Sequence, residues 1–528
     1  MTASRRATLA AAAVVVAVLA LPLVGAFRAP GAPMEEGKLL TAGELVLDGR
    51  WPHVDFEHFY GPGDVWSVAA SFLVLGPSVG AERAVGLLST VALLAAIFAI
   101  ARRWGAVTAA VATVTAGVIV APFGVHAYSW TTGLALVLWG LVLLTSARLR
   151  PVLGGVALGL ALLWRADLVL AVAAVLAVVV PGLPAPRRRS VLLGVAGGLS
   201  PYLLHLVLVG PRAMVDGMIV SPLFRLRGGR SLPVPPPGGD LTAWFDLSAP
   251  KPSPSRLFPS TPLVTQFRAF FWLTILAVLA LLAAGAVAWF RNRTDRLLPA
   301  LGLVAVAITP QMLQRADVTH VRFVAVVALA LAPGAVAVAA GLLDRRLPVR
   351  LAAAELSVLA VAGLVLLAPQ YVARLTLDQS RRAVGTIDVA TVENRGRSFP
   401  VRSPDVVPFT QALIDRVDEL APDGGRLFVG PQDLTLANYS DAYLYFLFPQ
   451  LEPASFYLES NTGIANREGS GLADDIREAD VLVLSREFDN WDEPNASRDP
   501  GPTEPREVVD EEFCVRGTFE VYEIRTPC

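Results

Sequence analysis

Lysine is almost missing from this chain of 528 residues: only Lys38 and Lys251 occur. Charged residues of both signs make up 17%, against about 25% in ordinary soluble domains, so a purely soluble protein is excluded. The formal net charge is −1, and the two signs are segregated. Arginine dominates the apolar part of the chain, and Asp and Glu the tail after Ser403. No continuous basic face remains for a nucleic acid, which is not an expected partner. Cysteine is nearly as scarce. Cys514 and Cys528 alone cannot make a four-ligand zinc site. In an oxidising compartment they would close a short disulfide loop, and two free thiols are the alternative. The tail also lacks Gly-x-Gly-x-x-Gly, a Walker loop and Gly-x-Ser-x-Gly, which removes the usual signals of dinucleotide, nucleotide and serine-hydrolase chemistry.

Long apolar runs are abundant. Mean hydropathy is +0.55, and hydrophobic residues make up 54%. A helix needs about 20 mainly apolar residues to cross a ~30 Å hydrocarbon core. Runs of that kind lie at 7–27, 82–101, 106–124, 129–146, 151–164, 168–183, 190–209, 269–290, 297–313, 321–342 and 351–371. The fold expected is a polytopic α-helical membrane protein of about eleven transmembrane helices, with an extracytoplasmic α/β domain at its C-terminus. The runs 151–164 and 168–183 are short and meet at Trp164-Arg165-Ala166-Asp167. They read as two spans joined by a tight turn, a re-entrant hairpin being the alternative.

Arginine sets the orientation. Arg5 and Arg6 precede the first run, which reads as an uncleaved anchor because it is longer than the 7–15 apolar residues of a signal peptide. Counting from a cytoplasmic N-terminus, every cytoplasmic turn carries arginine: Arg102-Arg103, Arg148 with Arg150, Arg187 to Arg189, Arg291 with Arg293 and Arg296, and Arg345-Arg346 with Arg350. An odd number of spans then places the C-terminus outside. The domains expected are 1–379 in the membrane and 380–528 outside. The Ala-, Arg- and Pro-rich composition suggests a GC-rich bacterial genome, and hence a bacterial cell membrane.

Three outer segments are long enough to hold structure. In 28–81, the stretch 65–75 is apolar but too short to span and reads as an interfacial helix. In 210–268, the Pro-rich stretches 232–238 and 248–254 oppose regular structure and read as a flap. In the tail, strands are expected at 426–429, 481–484 and 519–524, with a helix at 471–479. Asp489, Asp492, Glu493, Asn495 and Asp499 offer oxygen atoms for calcium without EF-hand spacing and read as a solvated loop.

The first outer segment is the richest in chemistry. It runs Pro33-Met34-Glu35-Glu36-Gly37, then Asp48-Gly49-Arg50-Trp51-Pro52-His53-Val54-Asp55-Phe56-Glu57-His58-Phe59-Tyr60-Gly61-Pro62-Gly63. Two adjacent carboxylates at a polar boundary can supply a general base or hold a divalent cation through oxygen. They are equally what a helix N-terminus attracts. The order of first span, acidic pair with Gly, helix, then Asp-Gly-x-x-Pro-x-x-Asp-Phe and Gly-Pro resembles the C-type glycosyltransferase superfamily (GT-C). It looks most like the bacterial protein-mannosyltransferase-like and lipopolysaccharide-core-transferase-like branches. The resemblance covers about 28–103 and is topological onward to 371.

The resemblance implies an enzyme that moves a hexose or pentose, with inversion, from a polyprenyl-phosphate-linked sugar to an extracytoplasmic acceptor: an envelope glycan, a glycolipid or a protein. By position, the acidic pair of the family falls on Glu35 and Glu36, where the first is Glu rather than Asp. Between two later spans, Arg315-Ala316-Asp317-Val318-Thr319-His320 is similar to a family pattern, which implies Arg315, Asp317 and His320 at the donor phosphate. No cofactor is required by these residues, although Mg or Mn is compatible with the carboxylates. Arg165 with Asp167 reads as a self-neutralising turn and His205 as a packed residue. His126 and Tyr128 occupy a turn where several relatives place a further acid. A flippase for lipid-linked saccharides and a non-catalytic envelope-assembly scaffold are the rival classes, although no inverted repeat is evident.

Overall fold

A computed structural model describes all residues except 1–2, 147–148, 237, 239–261, 293 and 490–492. Arg148, Arg293, Asp492 and the Pro-rich stretch 248–254 lie outside the described residues. The chain is a polytopic membrane protein. Among the described residues, eight helices are long and apolar enough to cross a membrane. Three shorter apolar helices, Ser129–Thr145, Pro151–Trp164 and Val169–Val179, fall on further expected runs.

The chain divides into two compact units, each discontinuous in sequence. One comprises 1–28, 86–204 and 233–387, and the other 29–85, 205–232 and 388–528. The boundary expected at 379/380 falls at 387/388. The first outer segment is grouped with the tail, not with the helices that flank it in sequence.

The helical unit has a continuous apolar core, with Leu93, Ile97, Leu138, Phe271, Leu301 and Val324 fully buried. Its close helix contact is made by small residues. Gly155 and Gly159 on Pro151–Trp164 face Gly194 and Gly198 on Ala185–Leu199. A Cβ on Gly155 would collide with the Val191 carbonyl, and one on Gly159 with the Val195 carbonyl. In lipid, where burial of apolar surface gives no net drive, such backbone approach supplies the packing contact.

The run 190–209 is not one span. The chain breaks at Ser200-Pro201, and Pro201–Val215 begins a second helix with proline at its first position, where the missing N–H costs nothing. Gly210 then kinks the helix at φ 77°, ahead of Pro211. A π-helical segment, Asp216–Arg225, continues into Leu226–Arg230. Helix thus reaches Arg230, where an irregular flap was expected from 210. Gly210-Pro211 and Pro222 are breakers in sequence, but the Arg225–Asp216 ion pair at 2.8 Å closes the π turns across them.

In the tail-containing unit, β1 (Ala390–Asn394) and β2 (Arg397–Val401) form a hairpin. Arg395 and Gly396 turn it with φ of 46° and 80°, as a two-residue type I′ turn requires. A second, five-stranded sheet contains β3 (Gly425–Pro431), β4 (Leu451–Pro453), β5 (Val481–Ser485), β6 (Phe513–Phe519) and β7 (Tyr522–Pro527). Its order is β4-β3-β5-β7-β6, with β4, β3 and β5 parallel and β7 and β6 antiparallel. The strands expected at 426–429 and 481–484 and the helix at 471–479 are present as β3, β5 and Leu472–Arg477. The segment 519–524 is not one strand. It straddles a reversal at Glu520, φ 48°, between β6 and β7. No Gly or Asn marks that turn, so the alternating pattern reads straight through it. Cys514 and Cys528 are joined in a disulfide, Cα–Cα 4.9 Å, across these two strands.

Candidate functional site

Each unit holds a cluster of functional side chains. In the tail-containing unit the acidic pair opens the helix Glu35–Leu47, where the positive end of the helix dipole favours it. Glu35 is half-buried and Glu36 fully buried. Glu36 accepts from Arg83 Nε at 2.6 Å on one oxygen and from Arg83 Nη2 at 2.9 Å on the other. Its second oxygen also accepts the Ala32 N–H at 3.2 Å. Arg83 donates its remaining Nη1 to the Ala29 carbonyl at 2.7 Å. Glu82, also fully buried, brings a carboxylate oxygen within 4.8 Å of one from Glu36.

The tail holds this helix in place. Gly31 N–H donates to Pro400 O at 2.7 Å, and Tyr443 N–H to Pro33 O at 3.0 Å. Gly37 sits so close to the Tyr443 backbone that a Cβ there would collide with it, and Arg397 reaches Glu44 at 2.6 Å.

Two residues beyond Glu36 on the same helix, Lys38 pairs with Glu459 at 3.1 Å, both buried. Asn461 Nδ2 donates to Glu459 at 2.5 Å and to Glu57 at 3.3 Å, and Arg230 Nη1 donates to Asn461 Oδ1 at 3.2 Å. Burial pushes Glu57 up, because Lys38 only partly offsets it. Burial also works against charge on Lys38, but Glu459 and Glu57 outweigh it and hold the ammonium charged. His53, with φ 77°, meets His205 at 2.9 Å and the Tyr60 carbonyl at 3.0 Å. Burial, then His58 and His205, push its pKa down to about 2, so this imidazole is neutral.

In the helical unit, Arg315, Asp317 and His320 come together. Asp317 caps the helix Val318–Leu343 by accepting the His320 N–H at 2.8 Å. The same oxygen meets His320 Nδ1 at 2.9 Å, and the other accepts from Arg315 Nε at 2.7 Å. Burial works to raise the Asp317 pKa, yet His320 and then Arg315 outweigh it and hold the carboxyl well below the usual range. Arg165 and Asp167 repeat the arrangement at the end of Pro151–Trp164, with contacts of 2.9 and 2.6 Å, and Gln311 also donates to Asp167. The two arginines share one backbone geometry, φ/ψ −141°/101° for Arg165 and −140°/97° for Arg315. Each is a buried guanidinium held by an Asp two residues on, at a junction between apolar helices.

Sequence reasoning passed over Arg83 and Glu82, which open an apolar run and read as flanking charge. Their signal was a cation and an anion inside the first turn of a membrane helix, where charge is costly without a partner. It also missed the repeated tripeptide Arg-Ala-Asp at 165–167 and 315–317, and the Lys38–Glu459 pair, whose members are over 400 residues apart.

Among solved structures, the chain is similar to ArnT from Cupriavidus metallidurans bound to undecaprenyl phosphate, with a TM-score of 0.54 at 14% identity over 97% of each chain. It is also similar to the apo state of that protein, with a TM-score of 0.50 and the same identity and coverage. No protein-family model matches the sequence, and no curated protein matches it.

Proposed function

We propose that the chain is a membrane glycosyltransferase that takes a sugar from a polyprenyl-phosphate donor and passes it to an acceptor outside a bacterial cell membrane. The observation that carries this reading is a GT-C fold over nearly the whole chain in which Arg315, Asp317 and His320 are already assembled at a helix junction. Arg315 and His320 are assigned to the donor phosphate. A guanidinium and an imidazole held by one carboxylate are preorganised to meet negative charge as it develops on the leaving oxygen. Asp317 orients both.

Glu36 is assigned as the base, with Glu35 beside it. Arg83 holds both Glu36 oxygens and so orients the carboxylate. The acceptor hydroxyl passes its proton to Glu36, its oxygen bonds the anomeric carbon, and the bond from that carbon to the phosphate oxygen breaks. The electron pair leaves with the polyprenyl phosphate, and the anomeric centre inverts. A divalent cation, Mg or Mn, is compatible with Glu36 and Glu82, because these two carboxylates with Arg83 carry one surplus negative charge and offer hard oxygen ligands. Bound there, it would supply Lewis-acid chemistry. The acceptor is assigned to the envelope: a glycan, a glycolipid or a protein.

The test is transfer of labelled sugar from a panel of polyprenyl-phosphate sugars by the full chain in nanodiscs. Native protein is expected to transfer from at least one donor. Glu36→Gln should lose about 10²–10⁴-fold in kcat with donor binding retained, and Arg315→Ala should weaken donor binding. Undiminished turnover in Glu36→Gln removes that residue from the chemistry. Movement of lipid-linked sugar across vesicles without transfer makes the chain a flippase.

A further inference from the structure

The helix Glu35–Leu47 is held on two faces at its first turn. Residues two apart in a helix lie about 200° apart around its axis, so Glu36 and Lys38 leave it in nearly opposite directions. Glu36 goes to Arg83 of its own outer segment, at 2.6 and 2.9 Å. Lys38 goes to the tail, where Glu459 meets its ammonium at 3.1 Å. The rotation of this turn about the helix axis, and with it the aim of Glu36, is set from both sides.

The tail's side of this clamp is built from two carboxyl groups rather than one. Lys38 is buried, with its ammonium 5.0 Å over the Phe59 ring, and a buried ammonium needs a partner charge. Glu459 is held to that task by Asn461 Nδ2 at 2.5 Å, and the same amide reaches Glu57 at 3.3 Å. Glu57 is 2% exposed, and its other oxygen, Oε1, meets no hydrogen-bond partner among the described residues. Two carboxyl groups bridged by one amide beside one ammonium hold a proton between them more readily than two charges. Burial, with the Glu459 charge adding to it and Lys38 opposing, pushes Glu57 up to about 8. Near neutral pH, Glu459 therefore carries the charge that meets Lys38, and Glu57 carries the proton. The other titratable groups that face these three are Tyr60, Arg230 and Tyr457.

We infer that Lys38 is a positioning residue for the transfer step, held by Glu459 of the tail, with Glu57 as the carboxyl group able to take Glu459's place. The tail then acts on the chemistry itself, through one buried ion pair that aims Glu36. The inference rests on the glycosyltransferase reading and on Glu36 as its base. Its signature is a dependence on pH that a merely structural pair lacks. Glu459→Gln keeps the shape of the side chain and deletes its charge, so Lys38 is left with Glu57. At low pH Glu57 is protonated and the ammonium has no partner charge. As pH rises Glu57 ionises and the clamp re-forms. Without the Glu459 charge to raise it, Glu57 ionises below 8.

The experiment compares the full native chain with Glu459→Gln in nanodiscs, measuring kcat and the affinity for undecaprenyl phosphate across pH. At about pH 6 the variant should lose about 10–100-fold in kcat, as a misaimed base does, with its affinity for undecaprenyl phosphate unchanged. Its kcat relative to native should climb towards one by about pH 8. Adding Glu57→Gln should hold the ratio low throughout. If that double variant does not fold, the climb in the single variant decides. A ratio that is flat or falls with pH overturns the inference, as does native kcat at every pH. A matching loss of undecaprenyl-phosphate affinity overturns it too, because the pair then serves the fold as a whole. Native protein that transfers from no donor sinks the transferase, and hydrogen exchange then tests the clamp alone. Exchange in 35–47 that is faster than native at about pH 6, and equal to it at about pH 8, upholds the clamp. Exchange matching native at both overturns it.

Discussion

Glu36 shows how one partner changes the meaning of a side chain. In sequence it is half of an acidic pair beside a membrane boundary, equally suited to a base, a ligand or a helix end. Folded, it is buried against a bidentate arginine, so its orientation is set by a group 47 residues away. Asp441 is a simpler case. It is 1% exposed and accepts from Ser485 Oγ at 2.8 Å. Burial raises its pKa to about 6, and the Ser485 hydrogen bond only partly opposes this. The folded state thus holds a proton that the unfolded chain, near 3.8, releases. Stability from this group is full below about pH 4, falls as pH rises towards 6, and is flat above. The shift corresponds to about 3 kcal/mol at most. Asp441→Asn should flatten the slope of thermal midpoint against pH between 4 and 6 and raise the midpoint at pH 7. A slope unchanged in the variant would remove Asp441 as its source.

Among the elements, helices were legible where length and hydropathy sufficed, and less so where local chemistry competed. The apolar runs at 7–27, 269–290 and 297–313 became helices, with Pro22 and Pro310 tolerated inside two of them, whereas the run 106–124 leaves the α-helix at Val120 for a 3-10 turn around Pro122. The run 190–209 reads as continuous because apolarity alone cannot weigh Pro201, which starts a new helix. Beyond it, Gly210-Pro211 and Pro222 look like the end of helical structure, yet an ion pair nine residues apart carries the backbone through as a π segment. The contact of Gly155 and Gly159 with Gly194 and Gly198 is visible in sequence only as spacing, since which helix faces which is a tertiary matter. Gly159→Leu should destabilise the helical unit by about 1–3 kcal/mol or prevent its assembly, seen as a lower thermal midpoint in detergent. Gly197→Ala, with nothing within 4 Å of the new methyl, should be close to neutral. Equal effects of the two would show that close approach is not what these glycines provide.

For the whole molecule, the scarcity of cysteine is an experimental asset. Cys514 and Cys528 are the only thiols in the chain, so labelling reports the side of the membrane without background. If arginine placement orients the chain as read, spheroplasts treated with an impermeant maleimide should label only after an impermeant reductant opens the disulfide. Labelling that requires lysis would put the tail in the cytoplasm. The bridge closes a short loop, 14 residues apart in sequence, and its removal by Cys514→Ser should cost the tail-containing unit about 3 kcal/mol.

The amino-acid order by itself determined that the chain enters a membrane many times, because each span needs only its own twenty residues and the cost of charge in lipid. It also located both candidate clusters, since carboxylates and arginines at membrane boundaries are conspicuous against apolar sequence. Only the tertiary structure decided what those groups meet. Arg83 lies 47 residues from Glu36, and Glu459 lies 421 from Lys38. Electrostatic pairing falls off with distance in space, not along the chain, so the buried partner that sets each charge becomes known only when the backbone has brought it there.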